Sequence, residues 1–567
     1  MFDTLPTDFT EALDWGWDNW QPYYATLAET ELTADNITEW MHNRDAVGRL
    51  LWEVRARIYV ATTVDTNDEV AEARFKKLNA EVMPQAQKVS FVLNKKLVES
   101  GLAPERVKIP MRNVEAEIKL FNEDNLPLFT EMSELNTRYN KIAGAQTVEW
   151  EGEERTLSQM FPLLKDTDRE TRKKAWLLVQ ERMKEDREAH NELWREYMAV
   201  RKQIYENAGF DNYRQYAWLD RNRHDYTPED SLEFTEAIRQ VVVPAREKQL
   251  QEAQAKMGVD SLKPWDTAVD PEGRDPLKAY DTIEEFIDKS ERVFQQVDPE
   301  LGEFFSTMKN EKLLDLENRK GKGPGGYCTY FALSERPFIF MNAVGLDGDV
   351  RTLLHEAGHA FHGFARGETE FLMERSSPME FNEVASMAME LLAYPYLEAE
   401  NGGFFDEAEV ARYRKDHLEK IIAFWPYMAV VVAFQHWIYT NHDEASDPNK
   451  CDEKWLELWR TYMTGVDWDG YEDFIVNRWR RQLHIFRLPF YYIEYGVAQL
   501  GAVQVWANAL NDQADALRQY REALELGGTV TLPELFEAAG VKLAFDADTL
   551  QEAVNLIERK MGDMQPA

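Results

Sequence analysis

The run Leu353-Leu-His-Glu-Ala-Gly-His-Ala-Phe-His362 combines the period of a helix with the residues of a metal site. His355 and His359 are four residues apart, so on a helix both imidazoles project from one face, about 6 Å apart along the axis, and can reach one metal ion. Glu356 follows the first histidine and can face water at that metal as general base. This is the arrangement of zinc hydrolases, in which zinc brings the pKa of water to roughly 7 and polarises a carbonyl. The chain has only ten histidines in 567 residues, so the spacing carries weight against the alternative of a polar helix face bearing two ordinary histidines.

A hydrolytic zinc takes a third protein ligand and keeps one position open. His362 shares the helix face but lies about 10.5 Å along the axis from His355, too far for one ion to take both. A third histidine six residues beyond His359 is also absent, since that position is Ala365. A carboxylate from another helix remains. Phe381-Asn-Glu-Val-Ala-Ser-Met-Ala-Met-Glu-Leu-Leu392 reads as a helix with Glu383 and Glu390 on one face among apolar residues. A carboxylate in such company is costly to bury unless it is paired or metal-bound. Glu383 is therefore the expected third ligand and Glu380 the reserve. Glu390 is expected to accept a hydrogen bond from a ligand imidazole.

Composition narrows the rest. An apolar fraction of 44% with 17 tryptophans indicates a packed globular protein, and 567 residues exceed one ordinary core. A net charge of −37 repels phosphate backbones and anionic lipid, which argues against nucleic-acid or membrane partners. Two widely spaced cysteines, Cys328 and Cys451, fit a reducing cytoplasm without a disulfide scaffold. The N-terminus lacks the basic and apolar regions of a secretory signal. Ile421 to Phe434 holds no charged residue, but it carries Pro426 and continues into Gln435 and His436. A helix buried on all sides is expected there.

The fold class is mainly α. Apolar residues recur at helical spacing over 67–100, 165–207, 228–257 and 280–307. Gln146–Leu157, centred on Gly152, reads as a small hairpin, and Cys328–Leu333 and Pro337–Asn342 are short strand candidates before the metal helix. The glycine-rich 320–326 segment is expected to be a mobile loop beside a cleft, and 258–276 to be irregular. Residues 1–190 are assigned to an N-terminal helical region and 191–567 to a catalytic domain.

His484-Ile-Phe-Arg-Leu-Pro-Phe-Tyr-Tyr-Ile-Glu-Tyr495 gathers one histidine and three tyrosines. It is either an aromatic core helix or a source of donors to a tetrahedral oxyanion. On a continuous helix Tyr492 and Tyr495 would share a face. Taken with the 355–362 and 382–390 runs, it resembles the zinc oligopeptidase family of thimet oligopeptidase and neurolysin, nearest the bacterial oligoendopeptidase F and Pz peptidases. Gly325-Gly-Tyr-Cys-Thr-Tyr, Ile339-Phe-Met-Asn and Phe434-Gln-His-Trp-Ile-Tyr extend the likeness from about residue 140 onward. The resemblance implies one zinc per chain on His355, His359 and Glu383, with Glu356 as general base. It also implies that His484, Tyr492 and Tyr495 contact substrate or the oxyanion. The His484-to-tyrosine spacing is slightly shorter than in the thimet branch, which leaves either Tyr491 or Tyr492 as the inward ring. The implied fold is two helical halves enclosing a deep channel, with a small β element beside the zinc helix, acting on internal bonds of short unstructured peptides. Two alternatives stand beside it. A zinc carboxypeptidase would need a cation for the substrate C-terminus, for which Arg478, Arg480, Arg481 and Arg487 are available. A non-catalytic helical peptide-binding protein would need none of these groups.

Overall fold

The computed structural model describes residues 2–564. The expected helical stretches are helical, and three of the four divide where a residue opposes the ladder. The 67–100 stretch forms Glu69–Lys77, a π turn over Leu78–Val82, and Met83–Ser100. Pro84 explains the wide turn, because it has no N–H to donate and its ring collides with the preceding turn. Asp186 separates Arg169–Glu185 from Arg187–Asn207. Asp298 separates Ile283–Val297 from Pro299–Asn310, and its carboxylate accepts from the N–H groups of Glu300 and Leu301. Pro228–Met257 opens on a Thr227–Asp230 capping box and closes at Gly258 with φ +65°.

By internal contacts the chain forms two units, each assembled from three separated stretches. One comprises Leu120–Pro276, Lys415–Gly496 and the chain from Ala544. It contains a two-stranded hairpin, β1 (Thr147–Trp150) and β2 (Glu153–Thr156). Glu151 and Gly152 turn it with φ of 55° and 85°, the mirror-image turn that matches strand twist. The helix Glu407–Thr440 is long and apolar enough to cross a membrane by length and composition, but 72% of its apolar window is buried inside the protein. Ile422, Trp425, Val430 and Phe434 are fully covered, as expected of a core helix.

The other unit comprises Met1–Lys119, Leu277–Arg414 and Val497–Leu543. Its sheet has the order β3-β5-β4, from β3 (Leu314–Glu317), β4 (Tyr327–Phe331) and β5 (Arg336–Ala343). The strand candidates are β4 and β5, paired antiparallel with Cys328 opposite Ile339. Parallel β3 has no counterpart in the sequence reading: its four residues alternate apolar and acidic as a strand does, but the run is too short to stand out. The helix Asp347–Ala365 starts where Asp349 Oδ2 accepts from the backbone N–H groups of Val344, Gly345 and Leu346 and from the Tyr280 hydroxyl. The 320–326 segment differs from the mobile loop expected. Lys322 is buried, with its ammonium 3.0 Å from Asp315. Gly323 N–H donates to Thr63 O at 2.7 Å, and Asn342 donates to the carbonyls of Gly323 and Gly325. A side chain at Gly323 would sit 3.2 Å from Thr63 O, whereas Gly325 takes φ +93° with open space around it.

Candidate metal centre

Two helices build the centre. Asp347–Ala365 buries Leu353, Leu354, Ala357, Ala360 and Phe361, which turns His355 and His359 toward a partly open face. Met379–Leu392 crosses it, with Glu383 and Glu390 buried on the facing side. Gly358 permits the crossing. A β-carbon there would lie 2.6 Å from Ala385 O and from Ser386 Cα.

The donor atoms converge. His355 Nε2 and His359 Nε2 lie 3.4 and 3.7 Å from Glu383 Oε2, and the three donor atoms all fall within 4.8 Å of one another. Tetrahedral zinc with ligand bonds of about 2.0–2.2 Å spaces its ligands roughly 3.4 Å apart, so the set fits that ion. His355 Nδ1 is 2.8 Å from Glu390 Oε1, an arrangement in which Nδ1–H donates and leaves the Nε2 lone pair for a metal. Ser386 Oγ donates to Glu383 Oε2 at 3.2 Å and holds the carboxylate in place.

The electrostatics favour positive charge beside these carboxylates. Burial disfavours an imidazolium at His355, yet hydrogen bonds and charge from Glu383 and Glu390 outweigh it and hold its pKa well above the ordinary value. Burial lowers His359 to about 4, against the pull of Glu383. Burial pushes the Glu356 carboxyl up to about 7. His355 opposes this, Glu383 and Glu390 add to it, and the Cys328 backbone N–H on β4 lowers it by hydrogen bonding. His355 draws a proton where a divalent cation would satisfy the same carboxylates.

His362 stands outside the cluster, as its helical offset predicts. It is 1% exposed, with its ring edge-on to Phe381 at 5.9 Å and Nε2 3.2 Å from Ser377 Oγ. Glu380 is buried at the start of the same helix as Glu383 and does not join the three donors.

The 484–495 run is not one helix, but Tyr492 and Tyr495 do lie three apart on one helix with their rings 5.9 Å apart, while Tyr491, just before that helix, also faces His484. Leu483–Phe486 ends, Pro489 and Phe490 turn the chain with φ +63° at Phe490, and a new helix starts at Tyr492. The turn brings all three tyrosine rings around His484. Tyr492, Tyr491 and Tyr495 stand 4.7, 5.9 and 6.2 Å from its ring. His484 Nδ1 lies 2.7 Å from Gln482 Nε2, and Gln482 Oε1 accepts from the Tyr427 hydroxyl at 2.8 Å. Nδ1 thus accepts, and the ring proton sits on Nε2. Burial lowers the His484 pKa to about 4, with Arg221 and Arg487 adding to it, so the ring is a neutral donor near pH 7.

The model of peptidase family M3 matches residues 162–555 of this chain. The chain belongs to peptidase family M3, a metallopeptidase family. A structure of Pz peptidase A with an inhibitor is similar over 99% of both chains, with a TM-score of 0.87 and 28% identity. Oligopeptidase PepF of Bacillus subtilis is 24% identical over 273 residues, 47% of this chain. An oligoendopeptidase F homolog of Borreliella burgdorferi is 20% identical over 288 residues, 49% of this chain. These matches span 39% and 47% of the two relatives, less than half of their lengths. Within this M3 chain the sequence reading missed Gly358, Ser386, Gln482 and Tyr427. Glycine inside the histidine motif was a visible signal for close helix approach. The other three are ordinary polar residues whose roles depend on neighbours distant in sequence.

Proposed function

We propose that this M3 family member is a zinc-dependent oligoendopeptidase that cleaves internal bonds of short, unstructured peptides in the cytoplasm. The observation that carries the reading is the convergence of His355 Nε2, His359 Nε2 and Glu383 Oε2 beside the raised carboxyl of Glu356. His355, His359 and Glu383 hold one zinc per chain, with Glu390 fixing the tautomer of His355. Zinc, when bound there, supplies Lewis acidity toward a carbonyl and toward water. Glu356 takes the proton of the attacking water and passes it to the leaving nitrogen, a task suited to a carboxyl whose pKa lies near neutrality. β4 pairs with one strand among the described residues, so its outer edge suits an extended peptide. His484 through Nε2–H, with Tyr492 and Tyr495, supplies donors to substrate or oxyanion. A tyrosine hydroxyl suits that task because it donates without carrying charge.

The test joins metal analysis to cleavage of a quenched peptide blocked at both ends. One zinc per chain, internal cuts and loss of activity on chelation are expected. Products released only from a free C-terminus would assign the chain to carboxypeptidases. Glu356→Gln should retain zinc while turnover falls on the order of 100-fold or more. Near-normal turnover of that zinc-loaded variant would remove Glu356 as base.

A further inference from the structure

The unit that contains His484 also holds a cavity of about 400 Å³, whose lining includes none of the three metal-donor residues. Trp176, Trp265, Trp459 and Trp468 form much of its wall. Its charged lining residues are Arg246, Arg478 and Arg481, with no aspartate, glutamate or lysine among them. In a chain with 102 acidic against 65 basic residues, this inverts the prevailing charge.

The arginines are engaged unequally. Arg480, between the other two in sequence, is closed off by Asp452 at 2.7 Å and by Asn191. Arg246 donates to Gln249 at 2.9 Å. Arg478 lies over the faces of Trp459 and Trp468, 5.0 and 5.6 Å from their centroids. Arg481 Nη1 rests against the Met183 sulfur at 2.9 Å. Among the described residues neither Arg478 nor Arg481 has a carboxylate at ion-pair distance. Burial disfavours both guanidinium charges, and at Arg481 the neighbouring Arg478 adds to the effect. Arg481 keeps an exposed surface, but a half-buried cation such as Arg478 without a protein anion is costly unless a ligand supplies one. The cavity also adjoins the His484 cluster. Gln482 follows Arg481, and Tyr427, beside the cavity-lining Pro426, completes the Tyr427–Gln482–His484 chain of hydrogen bonds.

We propose that this cavity binds the C-terminal residue of a peptide, its free carboxylate on Arg478 and Arg481 and its apolar or aromatic side chain against the tryptophans. The planar guanidinium matches a carboxylate in fork geometry, and indole faces take an aromatic or aliphatic body. A terminal residue carries both groups on one carbon, whereas an Asp or Glu side chain brings the charge without the apolar body. That the ligand is a peptide rests on the oligopeptidase reading. Carboxylate binding itself does not.

Two measurements on the full chain test it. Tryptophan fluorescence is titrated with N-acetyl-phenylalanine as free acid and as amide. The acid should bind saturably and the amide about tenfold more weakly, the loss expected for a charge-assisted hydrogen bond. Arg478→Gln and Arg481→Gln should each abolish the preference. Cleavage is then compared for one peptide ending in a free carboxylate, in an amide, and in an amidated Glu. KM should be about tenfold lower for the free acid with kcat unchanged. The arginine variants should erase that difference while hydrolysing the amide as the unmodified protein does. Equal binding of acid and amide, or an equal loss on both peptides in the variants, overturns the proposal. An amidated Glu peptide that matches the free acid assigns the cavity to acidic side chains and overturns the terminal assignment. Acid-selective binding without cleavage of any peptide would overturn the oligopeptidase reading and leave the carboxylate cavity standing.

Discussion

Glu390 accepts from His355 Nδ1 at 2.8 Å and so selects the nitrogen that faces Glu383. Replacing it with Gln keeps the shape but can present an amide N–H to the imidazole. Metal affinity of Glu390→Gln should fall roughly 10–100-fold, as read by competition with a chelator. An unchanged affinity would make Glu390 a packing residue only. At His484 the relevant comparison separates binding from chemistry. Tyr492→Phe and Tyr495→Phe remove only a hydroxyl, so folding and metal content should survive. If either donates to the transition state, kcat falls on the order of tenfold or more with KM nearly constant. If both Phe variants and His484→Ala keep full kcat/KM, the ring cluster is packing alone. His355 and His359 were legible as a converging pair from spacing, because a helix places i and i+4 on one face. The tyrosines were legible only as a group, since the left-handed Phe490 that regroups them around His484 has no marker of its own beyond the preceding proline.

At the scale of elements, the centre depends on how closely two helices approach. Gly358 meets Ala385 O, and the Tyr520 hydroxyl donates to that same carbonyl at 2.7 Å, so the contact is fixed from both sides. A methyl group at Gly358 must push the helices apart. Gly358→Ala should cost roughly 1–3 kcal/mol of stability by overpacking and weaken metal binding together with it. Thermal melts with and without added zinc would show both; a variant that melts and loads normally would refute the close-approach argument. The helices and the hairpin could be read from periodicity and turn residues, which are local signals. β3 could not, because its pairing with β5 is parallel and is set by chain distant in sequence. In the 320–326 segment the buried Lys322 and the close approach of Gly323 to Thr63 were likewise not legible, because both are set by chain distant in sequence.

At the largest scale, buried ion pairs join parts of the chain far apart in sequence, as within the stretch Leu120–Pro276. Arg169 and Arg172 both reach Asp266, whose side chain is fully buried. Burial alone would raise the Asp266 pKa, but hydrogen bonds from Arg169, the Lys263 N–H and Arg172 outweigh it and hold it below 3.8. A carboxylate with a lowered folded pKa stabilises the fold above its unfolded pKa, and that contribution disappears as pH falls through the folded value. Acid melts should therefore show a loss of stability below about pH 4 that Asp266→Asn lacks, on top of a constant destabilisation of roughly 3 kcal/mol. Parallel acid profiles for the two proteins would discount the pair.

The interleaving of the two units has a consequence for biosynthesis. The unit that carries His355, His359 and Glu383 draws on residues 1–119, then on 277–414, then on 497–543. At roughly 10 residues per second on the ribosome, its opening helices wait many seconds for their partners, the last of which come from residues 497–543. Until then this unit is incomplete and the apolar faces of its early helices are uncovered. A nascent chain of this kind calls for chaperone cover during synthesis, and the cluster of His355, His359 and Glu383 gains its full surroundings only once residues 497–543 have emerged.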